Sequence, residues 1–192
     1  MERRDALKNL GKAFGFAVAT PTVLSILQSC STSDGVNWTP QFFSNEQGSF
    51  LVKAIDVLLP ATDTPSASEV NVHVFIDKLI AETYDTSAQE RVNRLFDAFA
   101  AFVSESAEAS SLSKVSTADL ETAFTTLFGE RSESIAAEAY DFAYQLRGMT
   151  ISAYKGSEYV GENVLAYLPV PGEYIACDDL QTLTGGRAWS EG

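Results

Sequence analysis

The chain has 192 residues, of which 45% are hydrophobic, and it carries 13 basic and 26 acidic side chains, a formal net charge of −13. It contains twelve phenylalanines, more large apolar groups than a disordered chain carries, so the composition predicts a domain with a hydrophobic core. Residues 1–29 hold four basic and two acidic side chains, which leaves a net charge of −15 for residues 30–192. Because a domain with this negative charge repels the phosphate backbone of nucleic acids, we expect no nucleic-acid partner. We interpret the excess of acidic residues as a feature that keeps the protein soluble. The alternative interpretation is an acidic face that binds a partner.

Residues 1–29 have the pattern of an export signal, in which a basic start precedes a moderately apolar stretch at residues 13–27. That stretch is shorter than the roughly 20 residues that span a bilayer. An amphipathic helix, or a short anchor that stays attached, is the alternative. The basic start resembles the twin-arginine signal, which moves proteins that are already folded. The residues that carry this resemblance are Arg3, Arg4, Leu7 and Lys8.

The signal ends in Leu-Gln-Ser-Cys at residues 27–30, which resembles the bacterial lipobox. Cleavage before Cys30 would leave a mature chain that carries acyl groups on this residue, and two or three acyl chains hold a protein firmly on a membrane. The expected order is therefore a signal at 1–29, a tether at 30–43 and a domain at 44–192. The expected location is the bacterial cell envelope or periplasm, with a lipid anchor in a membrane.

Helical periodicity and capping residues predict five or six helices, with no alternating run long enough for a sheet. They are expected from a capping box at Ser44 to Pro60, from near Asn71 to Tyr84, from a capping box at Ser87, from Thr117 to Phe128, and from Ser132 past Gly148. On the second helix, Phe75 is expected in the core. We expect residues 105–116 to form a flexible connector. The fold class is therefore an all-α, single bundle-like domain, with the Phe stripes in its core.

After Tyr154 the composition changes, because residues 155–192 hold six of the twelve glycines together with two prolines and several aromatic residues. A regular element is not expected there, so the segment should form an irregular strap. Aromatic side chains on such a strap are typical anchors of a protein interface. Closing the chain's own core is the alternative role. The candidate interface residues are Tyr159, Tyr167, Pro169, Pro171 and Tyr174.

No pattern in the sequence predicts a reaction centre, a metal site or a bound cofactor. The single histidine, His73, stands at the start of a predicted helix, where a capping or surface position is expected. If Cys30 is lipidated, Cys177 is the odd cysteine of an exported protein. It then either pairs with a cysteine of another subunit or stays a buried free thiol.

Three segments resemble the gluconate 2-dehydrogenase subunit 3 family: residues 54–65 (AIDVLLPATDTP), residues 72–77 (VHVFID) and residues 159–174 (YVGENVLAYLPVPGEY), the last followed by Cys177. The resemblance implies a small, non-catalytic subunit without catalytic residues. In this family the small subunit accompanies a large flavoprotein of the glucose-methanol-choline type, which binds FAD, often together with a cytochrome c subunit. The lipobox is not general to the family.

The expected function is therefore to bind, stabilise and help export the FAD-dependent large subunit of a sugar or polyol dehydrogenase. On this interpretation the large subunit travels through the twin-arginine pathway on the signal of the small one. The alternative is a stand-alone envelope lipoprotein that binds a ligand or a carbohydrate.

Overall fold

The computed structural model describes residues 38–168 and 177–190, and this part of the chain is helical. The segments of the signal, the lipobox and most of the tether lie outside the described residues. Among those described, the backbone forms no strand, and only an isolated bridge joins Ala166 to Trp189. The helices are α1 (Asn45–Leu58), α2 (Val72–Thr83), α3 (Thr86–Ser106), α4 (Thr117–Leu127), α5 (Ala137–Lys155) and α6 (Leu180–Thr184), with a 3-10 turn at Leu112–Lys114 and a π-helical turn at Val160–Val164. The all-α prediction is confirmed.

Helices α1, α3 and α4 begin after residues whose side chains cap them, and the caps of α3 and α4 lie one or two positions before the expected ones. Ser44 caps α1 in a capping box, as predicted. Helix α3 begins after Asp85 rather than Ser87, because the Asp85 carboxylate accepts a hydrogen bond from the Ala88 N–H at 2.8 Å. Helix α4 begins after Ser116, which forms a capping box with Asp119, and not after Thr117.

Helix α5 begins at Ala137, five residues after the predicted start at Ser132. The Ser132 N–H donates to the Tyr140 hydroxyl at 2.9 Å, and its side chain lies 2.8 Å from that of Ser134. These local hydrogen bonds stabilise a non-helical turn where the first turn of the helix was expected. The helix does continue through Gly148, as expected.

The core is built around four phenylalanine rings from three helices. Phe96 and Phe99 on α3 contact Phe142 on α5 with ring centroids 5.4 and 5.2 Å apart, and both contact Phe50 on α1 at 5.9 Å. Each of these side chains is fully buried. Burial of an aromatic side chain stabilises a fold by about 1.5–3 kcal/mol, and edge-to-face contacts add to this. The Phe stripes are therefore core, as predicted.

The connector at residues 105–116 is held against α1 more closely than expected of a flexible segment. The Lys53 ammonium donates to the Ser113 and Val115 carbonyls at 3.2 and 3.0 Å. The Val115 side chain is buried. The composition of the connector indicated flexibility, but its packing depends on Lys53, which is distant in sequence.

Helix α2 is rotated about its axis relative to the prediction. Phe75, expected in the core, is 54% exposed, whereas His73 and Asp77 are buried. Because successive residues are 100° apart on a helix, the stripe that includes Val72, His73, Ile76 and Asp77 turns Phe75 outward. The prediction assigned Phe75 to the core because it considered only the spacing of apolar residues.

Asp77 fastens the segment that precedes α1 to the body of the domain. Its fully buried carboxylate accepts three backbone N–H groups, from Gln41 at 2.7 Å and from Phe42 and Phe43 at 3.0 Å. A buried carboxylate is tolerated when such donors replace its water. The Phe43 ring is buried against Phe96.

This contact corrects the expected domain boundary. Of the segment assigned to the tether, 30–43, the described part from Trp38 onward packs on the helices. The domain therefore includes these residues.

His73 lies one helical turn before Asp77 and contacts Trp38, with ring centroids 5.2 Å apart and an edge-to-face geometry. It is 8% exposed, so the surface position expected for it was wrong. Its Nδ1 atom and the Trp38 Nε1 atom have no hydrogen-bond partner within the described structure. Burial lowers the pKa of His73, and the negative charge of Asp56 opposes this effect.

Replacing Asp77 by Ala should lower the free energy of unfolding by at least about 3 kcal/mol, because three buried N–H groups lose a charged acceptor. Asp77→Asn should cost less, since its remaining Oδ1 still accepts from Phe42 and Phe43. Chemical denaturation followed by circular dichroism measures both. The control is Asp97→Ala, which removes an exposed carboxylate. Equal losses for Asp77→Ala and Asp97→Ala would contradict this role for Asp77.

The stability of the domain should depend on the protonation of His73. Because the folded-state pKa is lowered from about 6.5, the unfolded chain binds the proton more tightly. The stabilisation is complete above pH 6.5 and is lost as the pH falls through the folded-state pKa. The free energy of unfolding should therefore decrease from pH 7 to pH 5, and His73→Phe should flatten this part of the profile. An unchanged slope in the variant would assign the pH dependence to other groups.

Candidate functional site

Two adjoining grooves lie where the C-terminal end of α5 meets the π-helical turn. Their volumes are about 640 and 720 Å³. The first groove is bounded by the start of α2, and the second by Tyr167 and Ser190. We call this region the C-terminal surface. It comprises Ser152, Gly156, Ser157, Glu158 and Glu162, which line both grooves, and Phe75, Ile151, Tyr159 and Tyr167, each of which lines one.

Hydrogen bonds hold the loop before α2, which leads into the wall of the first groove. The Tyr154 hydroxyl on α5 donates to the Pro65 carbonyl at 2.7 Å. The Asp56 carboxylate on α1 accepts from the N–H and the hydroxyl of Ser68, at 2.8 and 2.6 Å. These bonds join residues that are 89 and 12 positions apart in sequence. The wall at residues 70–75 is therefore positioned by α1 and α5 before any partner binds.

The second groove depends on a contact between the π-helical turn and the end of the described chain. Ala166 donates its N–H to the Ala188 carbonyl at 2.7 Å and accepts the Ser190 N–H at 2.8 Å. The side chains of Ala166 and Val160 are buried, which anchors this part of the backbone. Tyr167, the next residue, is thereby presented at the rim of the groove.

Four large apolar side chains of the C-terminal surface are open to solvent. A monomeric protein rarely leaves several such groups around one concavity, and such patches mark binding sites. Aromatic rings are rigid and lose little entropy on binding, so they suit a protein interface. The exposed fractions are 54% for Phe75, 49% for Tyr159, 50% for Tyr167 and 38% for Ile151.

The grooves also carry negative charge. Glu158 and Glu162 are exposed and line both grooves, and their carboxylates form no hydrogen bond or ion pair within the described part of the chain. They follow the C-terminal end of α5, where the helix dipole adds a partial negative charge. Lys155 lines the second groove, whereas the described residues that line the first include no basic side chain.

Residues 38–168 and 177–190 contain no group of three or more His, Cys, Asp or Glu side chains placed to hold a metal ion. In the same ranges, no helix is both long enough and apolar enough to cross a bilayer. His73 lies away from solvent beside Trp38.

Of the candidate interface residues, the structure brings Tyr159 and Tyr167 to the C-terminal surface. Pro169, Pro171 and Tyr174 lie outside the described residues. So do the proposed signal residues Arg3, Arg4, Leu7 and Lys8 and the proposed lipidation site Cys30. Cys177 is exposed and unpaired with any described cysteine, so its disulfide to another subunit stays a prediction.

Phe75 and Ile151 are the two large apolar residues of this surface that the sequence analysis missed. A signal for Ile151 exists, because the buried stripe of α5 includes Leu146 and Thr150, which leaves the next position facing outward. The exposure of Phe75 could have been predicted only from the burial of Asp77 on the opposite face of α2. That burial depends on a long-range contact with residues 41–43, which the sequence pattern does not reveal.

The family model described as gluconate 2-dehydrogenase subunit 3 matches residues 45–172, more than half of the chain. The chain belongs to this family. The match begins at α1 and includes the whole π-helical turn, so it covers each of the residues that define the C-terminal surface. Comparisons with curated proteins and with solved structures gave no match.

Membership makes this chain a subunit of a dehydrogenase complex, and it implies association with the other subunits of that complex. The C-terminal surface combines two adjoining grooves with four exposed large apolar side chains. It is the candidate site for that association.

Proposed function

We propose that this subunit 3 protein is a non-catalytic small subunit that binds, stabilises and helps export the large, FAD-dependent subunit of a sugar or polyol dehydrogenase. The observation that carries the proposal is the C-terminal surface, where four exposed apolar side chains surround two grooves in a member of a dehydrogenase-subunit family. The FAD belongs to the large subunit on this proposal, and this chain supplies the contact.

The geometry of the surface supports a role in binding a protein. Tyr159 and Phe75 both line the first groove, so a segment bound along it would contact both rings. Tyr167 and Ile151 line the second groove in the same way. Hot spots of protein interfaces combine such aromatic anchors with a surround that excludes water.

The proposal also includes export of the complex and its attachment to a membrane, and the support for both comes from the sequence. The twin-arginine signal at residues 1–29 suits a folded passenger with its cofactor bound. The lipid on Cys30 would hold the complex at a membrane of the bacterial cell envelope, on its periplasmic side. A cytochrome c subunit is a further proposed partner.

Removing the aromatic anchors should weaken binding of the large subunit. We expect Tyr159→Ala, Tyr167→Ala or Phe75→Ala each to raise the dissociation constant by about tenfold or more, as truncation of an interface aromatic commonly does. The assay uses the large subunit co-produced with this chain, purified by a tag on this chain and identified by its flavin absorbance.

The matched control is Tyr144→Ala, since Tyr144 is likewise about half exposed, at 52%, and lines neither groove. Unchanged affinity in all three groove variants would place the interface elsewhere. Sugar binding by the isolated chain, with no large subunit bound, would favour the stand-alone lipoprotein.

Replacing Arg3 and Arg4 by Lys should leave both this chain and the flavoprotein in the cytoplasm, because the twin-arginine route requires the arginine pair. Cell fractionation with a flavin assay measures the distribution. Cys30→Ser is the companion variant, expected to be exported but released from the membrane fraction. Normal export of the flavoprotein in the Lys-Lys variant would refute the carrier role.

A further inference from the structure

The partner that fits the C-terminal surface has a definite chemistry. We infer that the grooves take a segment of the large subunit in which Arg or Lys side chains stand between apolar ones. The apolar side chains contact Phe75, Tyr159, Ile151 and Tyr167, and the cations lie near Glu158 and Glu162. This inference rests on the proposed function and adds the charge of the docking segment to it.

The position of the two carboxylates supports a basic partner. Glu158 and Glu162 are four residues apart, and both line both grooves, so they lie between the exposed apolar groups. Neither has a partner among the described residues, although hydrogen bonds of this chain satisfy buried carboxylates such as Asp77. An apolar partner segment without positive charge would desolvate them at a cost and gain nothing in return.

The electrostatic surroundings reinforce the negative charge of the first groove. The C-terminal end of the 19-residue helix α5 adds its partial negative charge beside the glutamates. The net charge of −15 over residues 30–192 adds a long-range attraction for a basic partner. Lys155 lines the second groove only. We therefore expect most of the cationic contacts in the first groove, between α2 and the end of α5.

The occupant is a segment of the large subunit and not a second copy of this chain. Two copies that met through this surface would bring four glutamates together, and their repulsion would oppose association. An anionic lipid surface is disfavoured for the same reason. Complementary charge, together with exposed apolar anchors, points to a partner with the opposite sign.

The test compares two double variants in binding to the purified large subunit. Glu158→Lys with Glu162→Lys reverses the charge of the grooves. Glu90→Lys with Glu121→Lys makes the same change in net charge at exposed positions of α3 and α4 that line neither groove. Because like charges across an interface oppose binding, the groove variant should raise the dissociation constant by about tenfold or more, and the control by less than about twofold.

Two further measurements accompany this comparison. Affinity of the natural chain should fall with rising NaCl concentration, and the salt dependence should be weaker for Glu158→Gln with Glu162→Gln. Thermal unfolding of each variant shows that it is folded, which we expect because the changed side chains are exposed.

Several outcomes would overturn the inference. Equal loss of affinity in both double variants would assign the effect to net charge. Unchanged affinity in the groove variant, with weaker binding in Tyr159→Ala, would show that the segment carries no cation there, and the proposed function would survive. Altered self-association with unchanged binding of the large subunit would assign the surface to a second copy. Absence of any complex with the large subunit would end both proposals.

Discussion

The packing of α5 against α3 sets the position of nearly everything else in this domain. Phe142 on α5 lies between Phe96 and Phe99 of α3, and Phe50 of α1 contacts the same two rings. Edge-to-face contacts of this kind restrict how one helix can turn or slide against the other. Residues at the C-terminal end of α5 line both grooves, so the aromatic core also determines the position of the C-terminal surface.

A second constraint is polar, and it acts at the opposite end of the described chain. The Asp77 carboxylate replaces its lost water with three backbone N–H groups from residues 41–43, which holds this segment against α2. The same rotation of α2 that buries Asp77 and His73 turns Phe75 outward into the first groove. A buried polar contact and an exposed apolar side chain therefore have a single cause, which is the angle of α2 about its own axis.

The sequence predicted the fold class, the core stripes on α3 and the presence of each long helix, because these depend on local periodicity and caps. Phe96 and Phe99 follow directly from the spacing of apolar residues. Phe75 did not, because its exposure depends on Asp77 meeting residues 34 to 36 positions away. The candidate site was predicted in part for a similar reason. Composition indicated that Tyr159 and Tyr167 could form an interface, but the grooves require α2 and α5 to be brought together.

The strap after α5 had two possible roles, to close the chain's own core or to meet a partner, and its residues divide between them. Val160 and Ala166 are buried, whereas their neighbours Tyr159 and Tyr167 are about half exposed. The small and medium apolar side chains hold the backbone on the domain, and the large aromatic ones stay open. Had self-closure been the only role, the rings would have been the first groups to bury, because they carry the most apolar area. Anchoring the backbone first also lowers the entropy lost when a partner covers the rings. This arrangement is what a docking surface prepared in advance requires, and it explains how a segment with only short helical turns can take part in a specific contact.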